Sequence, residues 1–197
     1  MRKAHTCFFM FFLFTAVLYA GNREMKGSRL SVTGGAYFMQ DEVFKEVYGD
    51  SAWAFYGEYS YRLPFILKQH IEIGVEYRFL SDKGKLTVTK EEVDLMISDI
   101  TFSLRYLFDL KRFIPFIGPG LDYIMYKEEY PPTFPVSSTK GSVLGFSFQG
   151  GCYYDFSSSL GAKVCVKYSH AQTEEGEVTA DIGGIGITAG LVFRFNL

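Results

Sequence analysis

One stretch of the chain decides the fold: His70-Ile-Glu-Ile-Gly-Val-Glu-Tyr-Arg-Phe-Leu80. Its odd-numbered positions are all apolar or aromatic, and its even-numbered positions up to Arg78 are polar, charged or very small. Because successive side chains of a strand point to opposite faces, this alternation predicts a β-strand with one apolar face and one ionic face. A helix would mix the two sets, since Ile71 and Val75 would share a stripe with Arg78.

The same alternation recurs along the chain in about eight segments of roughly ten residues, the length that a tilted strand needs to cross a bilayer. Long polar connections alternate with short turns between these segments, as they do in membrane barrels. The alternating segments are residues 29–40, 52–63, 70–80, 100–108, 114–126, 144–154, 160–169 and 185–197. The long polar connections are residues 41–51, 81–92, 127–141 and 171–181.

Two positions disturb the pattern. Upstream of Ser98, the residues Val93, Leu95 and Ile97 carry the apolar side chains on the opposite parity, which predicts a bulge or an extension beyond the membrane. Pro119 lies inside a predicted strand, where it removes a backbone donor from the ladder.

The polarity of the two faces favours a membrane barrel over a soluble one. The apolar set is rich in aromatic residues at strand ends, as in the interfacial girdles of membrane barrels, and the polar set mixes glycine with charges, as a narrow interior requires. We therefore predict an all-β fold, an eight-stranded antiparallel up-and-down transmembrane β-barrel, with a soluble lipocalin-like barrel as the alternative. The predicted lipid-interface aromatics are Trp53, Tyr61, Tyr77, Tyr106, Tyr126, Tyr154 and Tyr168.

The first twenty residues have the composition of a secretory signal peptide. Arg2 and Lys3 precede an apolar run that ends at Ala20 and is short for a transmembrane helix. We expect cleavage after Ala20, which leaves residues 21–197 as the barrel and changes the formal charge from −2 to −4.

Composition and charge exclude several classes of function. The chain is nearly neutral and has no basic stripe, so we expect no nucleic-acid partner. No residue is assigned to a metal or a cofactor, and none to catalysis. Cys152 and Cys165 fall on neighbouring strands but on opposite faces, which argues against a disulfide.

The inward face carries charges of both signs in nearly equal numbers. Isolated buried charges cost several kcal/mol, so these groups must be paired, and we predict an ion-pair network that fills the barrel in place of a water channel. Its predicted members are Glu58, Arg62, Glu72, Glu76, Arg78, Asp99, Arg105, Asp122, Lys163, Lys167 and Arg194.

One segment resembles a known family. Phe113-Ile-Pro-Phe-Ile-Gly-Pro-Gly-Leu-Asp-Tyr123 is similar to the Pro-aromatic-x-Gly-x-Gly-x-x-Tyr segment of OmpA/OprF-like outer-membrane β-barrel domains, although Pro119 replaces a small residue. The last strand resembles the C-terminal signal read by the barrel assembly machinery, carried by Phe193, Phe195 and Leu197, with leucine in place of the usual terminal phenylalanine.

The resemblance implies a cell outer membrane location. We expect the barrel domain alone, without a peptidoglycan-binding domain. It also implies three kinds of partner: outer-membrane lipids, lipopolysaccharide and, during insertion, the barrel assembly machinery. We expect a monomer in the envelope of a Gram-negative cell.

For function, the sequence favours a structural or surface-interaction role with a non-conducting or poorly conducting interior. A narrow solute pore is one alternative. A lipid A-modifying enzyme is another, since Tyr168-Ser169-His170-Ala171-Gln172 is similar to the motif of small outer-membrane hydrolases. Gln172, however, stands where their nucleophile belongs, and Ser169 faces away from His170, so we expect no enzymatic activity.

Overall fold

A closed barrel of eight antiparallel strands forms the molecule, which confirms the predicted fold class. The computed structural model describes residues 27–63, 70–86, 91–133, 137–175 and 178–195. The barrel strands are β1 (Ser28–Met39), β2 (Ser51–Arg62), β3 (Ile71–Lys85), β4 (Glu92–Leu107), β5 (Phe113–Glu129), β6 (Ser138–Asp155), β7 (Leu160–His170) and β10 (Gly184–Phe195). Each pairs with its neighbours in the chain, and β10 closes the barrel against β1.

The long connections contain the remaining elements. The first holds a short helix, α1 (Glu42–Tyr48), and the fourth holds a hairpin of β8 (Gln172–Glu175) and β9 (Val178–Asp181). Within the described ranges, no helix is long and apolar enough to cross a membrane. The predicted signal peptide and Leu197 lie outside the described residues.

The apolar face of the strands points out of the barrel. In β3, Ile73, Val75 and Tyr77 are 43–44% exposed, whereas Glu72 and Arg78 are almost completely buried. This arrangement is the reverse of a soluble barrel, whose apolar side chains fill the interior. The outward face is therefore suited to lipid.

The predicted bulge near Ser98 is not formed. β4 pairs with β3 without a break from Tyr106, opposite Ile71, to Glu92, opposite Lys85. Instead, β4 extends toward the loop end as far as Glu92, and its inward face changes there from polar to apolar, so Leu95 is buried inside the barrel.

Pro119 is accommodated by a local gap in one ladder. β5 pairs continuously with β6, but its ladder with β4 omits the pairs at Gly118 and Pro119. The backbones of β4 and β5 come close there, and a Cβ at Gly118 would overlap the Leu104 carbonyl oxygen. A proline without an N–H and a glycine without a side chain thus occupy the one place where the ladder is interrupted.

Four strands are longer than the others. β3 to β6 have 15 to 18 residues, and the other barrel strands have 11 or 12. The extra residues lie on the side of the long connections, which we call the loop end; the opposite side is the turn end.

Candidate functional site

The inside of the barrel has three layers. Sequence alternation predicted a single polar face in their place. We call the apolar layer at the loop end the loop-end cap; its buried members are Tyr37, Met39, Tyr48, Ala52, Ala54, Tyr56, Leu80, Val93, Leu95, Ile97, Ile124, Tyr126, Ala171 and Ile182. A smaller turn-end cluster contains Leu107, Ile114, Phe116, Tyr153, Cys165 and Val192. Between the loop-end cap and the rest of this cluster lies the ion-pair layer, with Cys165 at its level between Lys163 and Lys167 of β7. The ion-pair layer contains Arg29, Glu58, Glu72, Glu76, Arg78, Asp99, Arg105, Asp122, Lys163 and Lys167.

Arg105 organises the turn-end half of the ion-pair layer. Its guanidinium Nη1 donates to Glu58 at 2.7 Å, to Glu72 at 3.3 Å and to the Tyr153 hydroxyl at 2.8 Å. Arg29 forms a second ion pair with Glu72, and Lys163 donates to Glu58 at 2.7 Å. Every carboxylate in this half therefore meets two cations.

Lys167 organises the loop-end half. Its ammonium lies 3.3 Å from Glu76, 3.4 Å from Asp99 and 3.2 Å from Asp122. Arg78 adds a cation 3.3 Å from Asp99 and lies over the Tyr37 ring at 4.2 Å from the centroid. Every carboxylate in this half is thus within reach of a cation.

Two hydroxyl groups donate hydrogen bonds to one carboxylate oxygen of Asp122. Thr101 donates to its Oδ1 at 2.7 Å, and Ser147 donates to the same oxygen at 3.0 Å. Charge-assisted hydrogen bonds of this kind compensate part of the cost of burying the carboxylate.

The two halves have opposite excess charge. The turn-end half holds three cations and two carboxylates, and the loop-end half holds two cations and three carboxylates. Lys163 and Glu76 lie 3.7 Å apart and join the halves, so the layer as a whole is neutral. Neutrality matters because a single uncompensated charge in this position would cost several kcal/mol.

Nine of the eleven residues predicted for the network lie in this layer, but Arg62 and Arg194 do not. The two terminal nitrogens of Arg62 donate to the two carboxylate oxygens of Asp109 at 3.2 and 3.1 Å. This ion pair is partly exposed at the turn end. Arg194 binds Asp155 at 2.6 Å, also near that end. Both arginines form ion pairs, but they lie below the ion-pair layer, because alternation shows which face a side chain occupies and not its height in the barrel.

Arg29 is the member that the sequence interpretation missed. A usable signal was present, since Leu30 and Val32 on the outward face place Arg29 on the inward face of β1. Paired with Glu72 from β3, Arg29 supplies the fifth cation that balances the five carboxylates.

Six of the seven predicted interface aromatics are on the outward face, with Trp53 the most exposed at 71%. Tyr126 was assigned wrongly: it shares its parity with Asp122 and Ile124, points inward and is buried in the loop-end cap. In the predicted assembly signal, Phe193 and Phe195 are partly buried.

The mouth of the barrel is covered from two sides. Phe44 and Val47 of α1 pack on the loop-end cap, and Ala171 and Ile182, beside the hairpin, are buried in it. The Tyr48 hydroxyl donates to Glu128 at 2.8 Å. Burial, together with this carboxylate, raises the pKa of Tyr48 above its ordinary value, so the hydroxyl stays a donor at neutral pH.

The residues that suggested an enzyme are separated in space. Ser169 is buried on the lumen side, with its Oγ 3.4 Å from the Tyr37 hydroxyl. His170 is half-buried on the opposite face, where its Nδ1 lies 2.6 Å from Asp181 Oδ2. A histidine and an acid are therefore adjacent, but the neighbouring hydroxyl cannot reach the imidazole.

Comparisons with known proteins agree with this architecture. The family model described as outer membrane protein beta-barrel domain matches residues 9–195, and the chain belongs to this family. This confirms the predicted outer-membrane barrel family. No curated protein matches the sequence.

Several solved structures share the fold at low sequence identity. Neisserial surface protein A has a TM-score of 0.61 at 16% identity, over 86% of this chain and 97% of its own. OprG of Pseudomonas aeruginosa has a TM-score of 0.60 at 12% identity, over 88% and 98%. Ail, the attachment invasion locus protein of Yersinia pestis, solved with the heparin analogue sucrose octasulfate, has a TM-score of 0.53 at 13% identity, over 86% and 100%.

Proposed function

We propose that this protein is a monomeric outer-membrane barrel whose sealed interior does not conduct and whose long loops serve a structural or surface-interaction role in the cell envelope. The observation that carries the proposal is the neutral ion-pair layer enclosed between two apolar layers. A permeating ion would have to separate buried ion pairs, each of which costs several kcal/mol to break.

The loop end is the surface available for contacts outside the cell. Residues 41–50, 81–94, 127–140 and 171–181 contain 14 acidic and six basic residues, a formal charge of −8. Ail was solved in complex with a heparin analogue, sucrose octasulfate, which is a polyanion. That ligand chemistry does not suit this chain, because an acidic surface repels a polyanion.

Export and insertion complete the proposal. Cleavage after Ala20 would release the barrel into the periplasm, where Phe193, Phe195 and Leu197 would serve as the signal for the barrel assembly machinery. The inserted barrel would contact outer-membrane lipids and lipopolysaccharide through its outward apolar face. That face, with Trp53 near the loop end and Tyr106 and Tyr154 near the turn end, supports this orientation.

Planar-bilayer recording tests the sealed interior. The wild-type protein should show no stable single-channel currents, and Arg78→Ala should lower thermal stability without creating a large conductance. Folding of each sample is verified by heat-modifiable mobility on unboiled gels. Stable, reproducible openings of the folded wild-type protein would overturn the proposal in favour of a narrow solute pore.

A lipid A-modifying activity is the competing candidate, and the half-buried pair of His170 and Asp181 is the observation in its favour. Mass spectrometry of lipid A from cells with and without the protein separates the two. We expect the acyl pattern to be unchanged; a pattern that changes with the wild type and not with His170→Gln would establish the enzyme.

A further inference from the structure

Four strands extend beyond the rest of the barrel at the loop end. Toward that end, β2 stops pairing with β3 at Leu80 and β7 stops pairing with β6 at Phe146, whereas β3 to β6 continue to pair with one another. We call this part of the four strands the projecting wall. Its inward face packs in the loop-end cap, where Val93, Leu95 and Tyr126 are buried. Its outward face continues the surface that the barrel presents to lipid.

The outward face of β5 and β6 changes from apolar to basic toward the loop end. The outward cross-strand pairs, in that order, are Tyr123 with Leu144, Met125 with Ser142, and Lys127 with Lys140. Lys127 is four residues beyond Tyr123, which is about 13 Å along the strand and about 10 Å along the membrane normal at the usual tilt. The headgroup region extends about 5–7 Å beyond the hydrocarbon on each side of a bilayer. A lysine side chain at this height can bend back to reach it.

Lys127 and Lys140 are directly opposite each other on the outward face. Residues in this position have Cβ atoms about 5 Å apart, and like charges there destabilise the strand pair. Lys127 also binds Glu129 of its own strand. Among the residues that the structure describes, the Lys140 ammonium and the Ser142 hydroxyl have no ion-pair or hydrogen-bond partner. An anion between the two lysines would remove the repulsion and bind both free groups.

The lysines of β3 are arranged differently. Lys83 is opposite Asp94, with its Nζ 3.6 Å from Oδ1, and Lys85 is opposite Glu92. Each of these cations therefore has an acid at the position where Lys127 and Lys140 have each other. The pair of opposed lysines is thus a local feature of β5 and β6 and not a general property of the wall.

The outward face of the wall also differs in charge from the loops around it. The loop end as a whole is acidic, but the described strands of the wall carry four lysines and three acids on this face. Asp94 and Glu129 lie opposite each other, and Lys83 and Lys127 bind them. Lys140 is therefore the cation in excess. A local positive charge of this kind attracts an anion that the acidic loops would repel.

We propose that Lys127, Lys140 and Ser142 form a binding site for a phosphate group of lipopolysaccharide in the outer leaflet. A phosphate monoester carries up to two negative charges and three acceptor oxygens, which match two ammonium groups and one hydroxyl. The phosphate belongs to a lipid because the site adjoins the apolar band on the lipid-contacting face. The proposal rests on the outer-membrane orientation proposed above and identifies the part of lipopolysaccharide that the barrel binds.

Retention of lipid A by the folded barrel tests the site. The mature protein is placed in phosphatidylcholine nanodiscs with increasing amounts of lipid A that carries both phosphates, and native mass spectrometry measures the fraction of barrels that keep one lipid A molecule. Lys127→Gln combined with Lys140→Gln should weaken binding about tenfold or more, because two charge-assisted hydrogen bonds are lost. The matched control, Lys83→Gln combined with Lys85→Gln, removes the same charge from the same wall and should weaken binding less than about twofold.

Two further ligands identify the source of the phosphate. Dephosphorylated lipid A should be retained equally by the wild type and by the variant of Lys127 and Lys140. In nanodiscs, lipid A should shift the NMR signals of Lys127, Lys140 and Ser142, and inorganic phosphate without lipid A should leave them unchanged. Equal weakening by the two double variants, equal wild-type retention of lipid A with and without its phosphates, or the same shifts with inorganic phosphate would overturn the proposal.

The readouts separate this site from the function proposed above. Heat-modifiable mobility on unboiled gels verifies that the wild type and both double variants are folded barrels. A folded, non-conducting barrel whose retention of lipid A does not depend on Lys127 and Lys140 would contradict the phosphate site alone. A wild-type protein without heat-modifiable mobility would contradict both the membrane barrel and the site.

Discussion

The loop-end cap and the ion-pair layer lie on the same inward face of the same strands, yet they are stabilised in opposite ways. β4 contributes Leu95 and Ile97 to the cap and, one step further, Asp99 to the layer. β3 contributes Leu80 to the cap and Arg78 to the layer. The change from apolar to ionic occurs within two residues on both strands.

This difference shows how each layer responds to damage. An apolar side chain contributes its own burial, so the loss of one leaves the remainder of the cap intact apart from a cavity. A buried charge is stable only through its partners, so the loss of one leaves others uncompensated. The loss of one side chain from the cap should therefore destabilise the barrel only in part, whereas the loss of one charge from the ion-pair layer should destabilise the whole layer.

The largest effect is expected for Arg105→Ala. The substitution leaves Glu58 with one cation, leaves Glu72 with Arg29 alone and removes a donor from Tyr153, so the free energy of unfolding should fall by about 3–5 kcal/mol. Urea titration in lipid vesicles measures it. The matched control is Lys83→Ala, which removes a largely exposed pair with Asp94 and should cost about 0–1 kcal/mol. Equal losses for the two variants would show that the layer is not the stabilising feature.

Leu95→Ala should have the next largest effect. Leu95 is fully buried in the cap, and deletion of its side chain should cost about 2–4 kcal/mol through lost burial and the cavity left behind. Leu121→Ala, on the outward face, is the control, and its loss should be much smaller because lipid chains can fill the space. A larger loss for Leu121 than for Leu95 would contradict the assignment of inside and outside.

A double-mutant cycle between Arg29 and Glu72 should give a coupling energy that is smaller than the two losses above. It tests directly whether these two side chains interact. Arg29→Met and Glu72→Gln each break a buried pair, and the double variant removes both charges. We expect a coupling energy of about 1–3 kcal/mol. Additive single losses would mean that Arg29 is not the fifth cation of the layer.

Arg62→Ala should have the smallest effect, about 0–1 kcal/mol, because its pair with Asp109 is partly exposed at the turn end. The same unfolding titration measures it. A loss in the range expected for Arg105 would place Arg62 in the ion-pair layer after all.

Alternation predicted the faces of the strands well. The eight barrel strands, the outward direction of Ile73, Val75 and Tyr77, and the inward direction of Glu72 and Arg78 all follow from the two-residue period of a strand. The resemblance carried by residues 113–123 indicated the family that the family match then confirmed.

Alternation did not predict the height of a residue along the barrel axis. Arg62 and Arg194 share the inward-facing pattern of the other charges but lie near the turn end. Tyr126 is an aromatic residue near a strand end, as interface aromatics are, but it belongs to the loop-end cap. The apolar residues that β4 contributes to this cap were interpreted as a bulge near Ser98. The height of a residue along the barrel axis depends on the register between neighbouring strands, and the sequence of one strand does not specify that register.

The amino-acid sequence is enough to predict a two-faced β-barrel with its apolar side outward, because lipid and lumen require opposite polarity at alternate residues of every strand. The layering of the lumen and the pairing of its charges become visible only in the three-dimensional arrangement of the strands. Arg29 and Glu72 are 43 residues apart in the chain, and they meet because strand register sets their heights and barrel closure sets their distance.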